Sequence, residues 1–173
     1  YTFKTESVSY QSDTRKLVSE NPVEVTGPKD QLGRSLFIKG NSMRANVAEG
    51  LLDITGQVSA QKTQNDKKMN IEADKVALNG KTRGVQFSGN VQISVGGVRV
   101  SGPDAIFKYE KNSDLLKSIE LEGGIKVSDV NKYATSEKLA IFLDEDRYVF
   151  RGRPRVVQEN DELSGDEITF LDG

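Results

Sequence analysis

A repeat of one-faced strands constrains this chain more than any other feature. In "VQFSGNVQIS" (85–94), Val85, Phe87, Gly89, Val91 and Ile93 alternate with Gln86, Ser88, Asn90, Gln92 and Ser94. Strict period-two alternation predicts a strand with one dry and one wet face. Related stretches stand at "LVSENPVEV" (17–25), "LLDITGQVSA" (51–60), "SIELEGGIKV" (118–127) and "RYVFRGRPRV" (147–156). Their centres are Asn21, Gly56, Gly89, Gly123 and Gly152.

A second motif lies between these: apolar residues around a small one, often followed by an acid. It reads "FKTESVSY" (3–10), "IKGNSMRA" (38–45), "IEADKVAL" (71–78), "VSGPDAIF" (100–107), "ATSEKLAI" (134–141) and "LSGDEITF" (163–170). From its small residue (Thr5, Gly40, Ala73, Gly102, Ser136) to the centre of the next first-type strand the offset is 16, 16, 16, 21 and 16 residues. The longer step coincides with the polar insertion "EKNSDLLK". Connections rich in Gly, Asn, Asp and Ser separate the runs and are too short for parallel crossovers. The pattern predicts about eleven antiparallel strands and no helix, with a short helix around 112–119 as the alternative.

One-faced hairpins must fold their sheet against another, so the fold class is all-β: a jelly-roll-like sandwich or open barrel. The dry set contains Val8, Met43, Leu52, Ile54, Val58, Val76, Leu78, Val85, Phe87, Val91, Ile93, Phe107, Ile119, Leu121, Ile125, Val127, Leu139, Ile141, Phe150, Val156, Ile168 and Phe170. These residues fill a closed core or line a slot. Two features favour a slot: glycine recurs in mid-strand on the dry face, and the repeat reaches both ends without a polar cap. Strands 3–10 and 163–170 are of one type and leave open edges, templates for strand addition and head-to-tail assembly.

Charge and composition exclude several function classes. With 24 basic and 26 acidic residues and no block of like charge, the signature of a nucleic-acid binder is absent. There is no cysteine and no histidine, which removes thiol chemistry, the commonest transition-metal ligand and the commonest general base. Asp74, Asp104, Glu137 and Asp166 recur once per repeat. They are readable as a carboxylate pair or a calcium stair, but their place beside turn-like small residues suits strand-end hydrogen bonding better. A transmembrane barrel would need Trp and Tyr girdles; Trp is absent and Tyr numbers 5.

"IEADKVAL", "VQFSGNVQIS", "VRVSGPDAIFKY" and "YVFRGRPRVVQENDELSGDEITF", in that order, resemble the OstA-like family of periplasmic lipopolysaccharide-transport proteins. Residues 62–173 resemble an LptA-type segment. Residues 1–61, with "IKGNSMRANVAEG", resemble an LptC-type one within a single domain spanning 1–173, and Pro154 departs from the family's usual β-branched residue. The resemblance implies an open β-jellyroll, two facing sheets with a hydrophobic groove, that shields lipid A acyl chains between inner and outer membranes without cofactor or catalysis. The positions it assigns to the lipid groove are Met43, Leu52, Ile54, Val58, Val76, Leu78, Val85, Phe87, Val91, Ile93, Phe107, Ile119, Leu121, Ile125, Leu139, Ile141 and Phe150. Phe3, Val8, Tyr10, Leu163, Ile168 and Phe170 on the terminal strands would meet other bridge components or further copies of the chain. Lys126, Arg151, Arg153 and Arg155 are candidate phosphate partners, or plain solvated charge. The abrupt start inside a strand suggests a removed signal or inner-membrane tether. A ligand-free structural or adhesive β-sandwich is the alternative function.

Overall fold

The computed structural model describes residues 1–30, 32–110 and 115–171. These form sixteen strands and no helix: β1 (Thr2–Thr5), β2 (Ser9–Gln11), β3 (Lys16–Ser19), β4 (Val23–Thr26), β5 (Phe37–Gly40), β6 (Ser42–Asn46), β7 (Leu51–Gln64), β8 (Lys67–Asn79), β9 (Gly84–Val95), β10 (Val98–Tyr109), β11 (Leu116–Asp129), β12 (Lys132–Phe142), β13 (Arg147–Arg151), β14 (Arg155–Gln158), β15 (Asp161–Ser164) and β16 (Glu167–Leu171). Residues 112–114 of the helical alternative lie outside the described residues, whereas 116–118 belong to β11. The sixteen strands are eleven ribbons. β1 with β2, β3 with β4, β5 with β6, β13 with β14, and β15 with β16 are the two halves of one ribbon, parted at a corner.

The corners turn one sheet into two layers. β6 pairs with residues 51–55 of β7 and β5 with residues 59–61. Likewise β13 pairs with residues 138–142 of β12, and β14 with residues 132–135. The first layer therefore runs β2, β3, β6, then the outer halves of β7 to β12 that meet at their turns, then β13 and β16. The second runs β1, β4, β5, the remaining halves of β7 to β12, then β14 and β15. Among the described residues the ribbons at the two ends do not pair with each other, so the jellyroll is open and no barrel closes.

At the corners of β9 and β13–β14 both motifs act together. Gly89 and Asn90 of β9 have φ of 78° and 50°, and Gly152 and Arg153 after β13 have 76° and 55°. Two consecutive left-handed residues bend the ribbon, and register slips between Glu72 and Lys75 where β8 meets β9. The recurring acid of the preceding ribbon packs onto the bend. Asn90 Nδ2 donates to Asp74 Oδ2 at 2.8 Å, and the Arg153 guanidinium pairs with Glu137. That hydrogen bond, and then the charge of Arg153, hold the Glu137 carboxyl below its ordinary value. The recurring acids are thus corner braces at Asp74 and Glu137. The central glycines sit at corners, not on the dry face as the alternation suggested.

A methyl group on Gly89 would lie 2.5 Å from Asp74 Oδ2 and 2.9 Å from its Cβ, whereas one on Gly124, φ 83°, meets nothing within 4 Å. Gly89→Ala is therefore expected to destabilise the fold by more than Gly124→Ala, whose cost is the left-handed backbone alone, about 1–3 kcal/mol. Urea denaturation of the two variants measures the difference; equal losses would contradict the corner contact.

Candidate functional site

The register places the dry residues in unbroken apolar rows that run the length of each layer. In the first layer one row passes through Tyr10, Leu17, Ala45, Leu52, Leu78, Val85, Phe107, Ile119, Ile141, Tyr148 and Phe170, each paired with the next. A second row, nearer the corner, passes through Met43, Ile54, Val76, Phe87, Ala105, Leu121, Leu139, Phe150 and Ile168. The facing layer presents Phe3, Val25, Ile38, Ala60, Ile71, Ile93, Val100, Val127, Ala134, Val156 and Leu163. Val58, Val91 and Ile125 lie beside this row at the corner. All the sequence-assigned groove positions are therefore brought together between the layers, and all are buried.

The rows end differently from their middles. Phe87 and Phe107 are fully enclosed, ring centroids 5.0 Å apart, whereas Phe3, Tyr10 and Leu163 at the row ends are 41%, 58% and 54% exposed. Val8, placed on the dry face by its sequence pattern, lies in the exposed corner between β1 and β2. Ile168 is buried, and Phe170 packs edge-on against Phe150 at 5.9 Å. Several inner positions escaped sequence reading, among them Val25, Ile38, Ile71, Val100 and Tyr148. The signal for them is hairpin register: once Ile93 is inward, its partners Ile71 and Val100 must be too.

An opening toward solvent appears at the C-terminal end. A cavity of about 90 Å³ is lined by Val98, Val127, Ala134, Tyr148, Phe150, Val156 and Phe170, with Asp129 and Lys132 also on its wall. One water takes roughly 10–15 Å³ of such space, so the cavity has room for a short apolar segment and not for a long chain. A smaller space of about 20 Å³ lies beside Gly27, Leu36, Lys62 and Tyr109.

Polar contacts close the side of the jellyroll opposite the corners. The dry face of β7 is apolar through Ala60 and then ends in buried Lys62 and Gln64. Lys62 Nζ lies 5.5 Å from the Tyr109 ring centroid. Gln64 Nε2 donates to the Leu116 carbonyl at 2.8 Å while its Oε1 accepts from the Leu116 amide at 2.9 Å. In the loop before β5, Asp30 accepts from the backbone amides of Leu32 and Arg34 and from Arg34 Nε, each at 2.9 Å. Burial pushes the Asp30 carboxyl up, but these hydrogen bonds, those from Arg34 foremost, hold it below its ordinary value.

The candidate phosphate partners are mostly committed elsewhere. Arg151 pairs with Glu167, Arg153 with Glu137 and Arg155 with both carboxylate oxygens of Glu162. These pairs brace neighbouring ribbons at exposed positions, where water screens most of their attraction. Of the four, Lys126 alone has no ion-pair partner among the described residues. Among the described residues no group of three or more Asp or Glu side chains is placed to hold a metal ion.

Asp30→Asn is expected to lower stability at neutral pH by about 1–3 kcal/mol, as charge-assisted hydrogen bonds are replaced by weaker ones. A carboxyl held low stabilises the fold above the pKa of the unfolded chain and loses that contribution as pH falls through its own depressed value. The difference between Asp30→Asn and parent should therefore shrink on acidification, which thermal melts across pH will measure; a difference that persists at low pH would contradict the charged cap.

Comparison with known proteins adds to the geometry. No curated protein matches the chain. Among solved structures, LptH from Pseudomonas aeruginosa, described as the LptA homologous periplasmic component of the conserved lipopolysaccharide transport device, superposes with a TM-score of 0.53. The match is 19% identical in sequence and covers 60% of this chain and 75% of that one, which establishes likeness of fold. Residues 70–171 match the family model described as LptA/(LptD N-terminal domain) LPS transport protein. That span runs from β8 through β16, the larger part of both layers and the cavity, and by it the chain belongs to the LptA/(LptD N-terminal domain) family of LPS transport proteins.

Proposed function

We propose that the chain is a non-enzymatic, periplasmic bridge protein that carries lipopolysaccharide between the membranes with its acyl chains held between the two layers. The observation that carries this reading is the set of apolar rows that run uncapped to both open ends. Each buried methylene is worth about 0.8 kcal/mol, so a fourteen-carbon chain crossing water faces a penalty on the order of 10 kcal/mol. Eleven ribbons about 4.8 Å apart make a path of roughly 50 Å, well beyond the length of such a chain. Aliphatic walls offer no directional bond, so a lipid slides without a deep minimum, and its phosphates and sugars stay in water. The groove positions named from sequence are those proposed to touch acyl chains, and Lys126 is the basic residue of the four left for a phosphate.

The exposed row ends support a partner role for Phe3, Tyr10 and Leu163, with half-buried Phe170 beside them, toward other bridge components or a further copy. The first and last ribbons run in the same direction, from second layer to first. A copy added head to tail with both layers continuous must therefore pair in parallel, by strand addition. No cofactor or nucleic acid enters this reading, and an inner-membrane tether outside these residues is compatible with it. Position 61, where LptC-like resemblance gives way to LptA-like, falls inside β7.

One observation favours the alternative of a ligand-free β-sandwich: the middle of the interior is filled by the protein's own side chains. Benzophenone probes at Leu121 and Ile141 separate the two readings. Lipopolysaccharide capture at these sites, and not at outward Gln86 or Gln92, is the expected result. Equal labelling of both sets would refute a sided groove. For assembly, light scattering is expected to show growth beyond a dimer with concentration, and a persistent monomer would contradict end-to-end joining.

A further inference from the structure

Three places along the side opposite the corners bring tips of the second layer against the first. At one, Gly27, Pro28 and Leu36 meet Arg83 and Tyr109. At the last, Val98 faces Tyr148 and Phe170 across the cavity. Between them lies the β7–β8 hairpin tip, and its contacts are polar and specific. Gln64 uses its whole amide on the backbone of Leu116, and its Nε2 also donates to Asp144 Oδ1 at 3.0 Å. Asn65 Nδ2 donates to the same oxygen at 2.6 Å, and Lys67 pairs with Asp146.

We propose that this tip is a polar latch between the layers, which must release before an acyl chain can pass from the C-terminal cavity into the interior. The proposal rests on the lipid-carrier reading and adds the residues that control access. Its position is the first argument: of the three inter-layer contacts, the latch is the one next to the C-terminal cavity, on the side leading toward the enclosed rows. Its chemistry is the second. At Lys62 and Gln64 the dry face of β7 abandons apolar residues where the layers reach solvent. An apolar contact there would have to expose itself on opening, whereas amide and ion-pair contacts exchange for bonds to water at small net cost. The third is that the inner rows beyond the cavity are fully buried, so lipid uptake there requires the layers to part, and the latch is the polar bond set that spans them there.

The chain has no cysteine, so Asn65→Cys with Asp144→Cys supplies the only two thiols. Unbridged, this variant lacks the Asp144 contacts; joined by a short bifunctional thiol reagent, it is permanently closed. Purified lipopolysaccharide is offered to each form carrying a benzophenone probe either at Phe87, in the interior, or at Phe170, at the cavity. Bridging is expected to abolish capture at Phe87 and leave capture at Phe170. In the parent background, Lys67→Asp should raise the rate of capture at Phe87 by about threefold, the order set by one exposed ion pair. Adding Asp146→Lys to Lys67→Asp should return it, a reversal that loosening of the fold alone would not give. Capture at Phe87 that is equal with and without the bridge would overturn the latch alone. Capture at neither probe in the unbridged protein would overturn the lipid-carrier reading, and the latch with it.

Discussion

The mid-ribbon corner is the constraint on which the rest of this structure depends. A hairpin with one dry face gains nothing until that face meets another, and here the partner is the other half of the same ribbon. Left-handed backbone at Gly89–Asn90 and Gly152–Arg153 bends those two ribbons, and Asp74 and Glu137 pack into the bends from the ribbon before. One continuous sheet becomes two facing layers without a separate connection. Where a corner is braced by the ribbon before it, as at Gly89 and Gly152, successive ribbons are tied one to the next.

That mode of construction explains the interior. Rows of paired apolar residues pass from ribbon to ribbon, fully enclosed where both layers are present and exposed where they end, as at Tyr10 and Leu163. The layers are joined covalently along the corners alone. Along the opposite side the strand tips meet in part through apolar groups and, at the β7–β8 tip, through polar ones, Gln64 among them. The two sides thus differ in kind: a ridge crossed by the chain itself, and a line of non-covalent contacts whose polar part water can replace.

Much of this was legible in the sequence. The 16-residue spacing that recurs in four of the five steps between the two motifs is the distance along the chain from a small residue to the corner of the next ribbon. The apolar residues named from alternation, Val8 apart, are those on the side facing the other layer. The corners themselves were not legible, because Phe87, Gly89 and Val91 keep period two straight through the bend; alternation alone cannot distinguish a two-residue corner from a continued strand. Nor does the pattern show which end residues stay exposed, since Leu163 and Val156 look alike until the number of ribbons behind each is known. Gln64 falls in the polar stretch beyond 51–60 that alternation leaves outside the strand, and only the fold that brings β7 against β11 gives it a partner 52 residues away. The arginines at 151, 153 and 155 looked available to phosphate, and the acids that occupy them are distant in sequence or belong to the next hairpin.

The central claim is that acyl chains lie between the layers against the inner rows. Intermolecular nuclear Overhauser effects from lipid A methylenes to methyl-labelled protein test it most directly. The account predicts contacts to the inner methyls of Ile71, Ile93, Leu121 and Leu139, with none to the outward methyls of Ile106 and Val130. Contacts confined to the outward set, or a saturated sample in which no inner methyl responds, would contradict it.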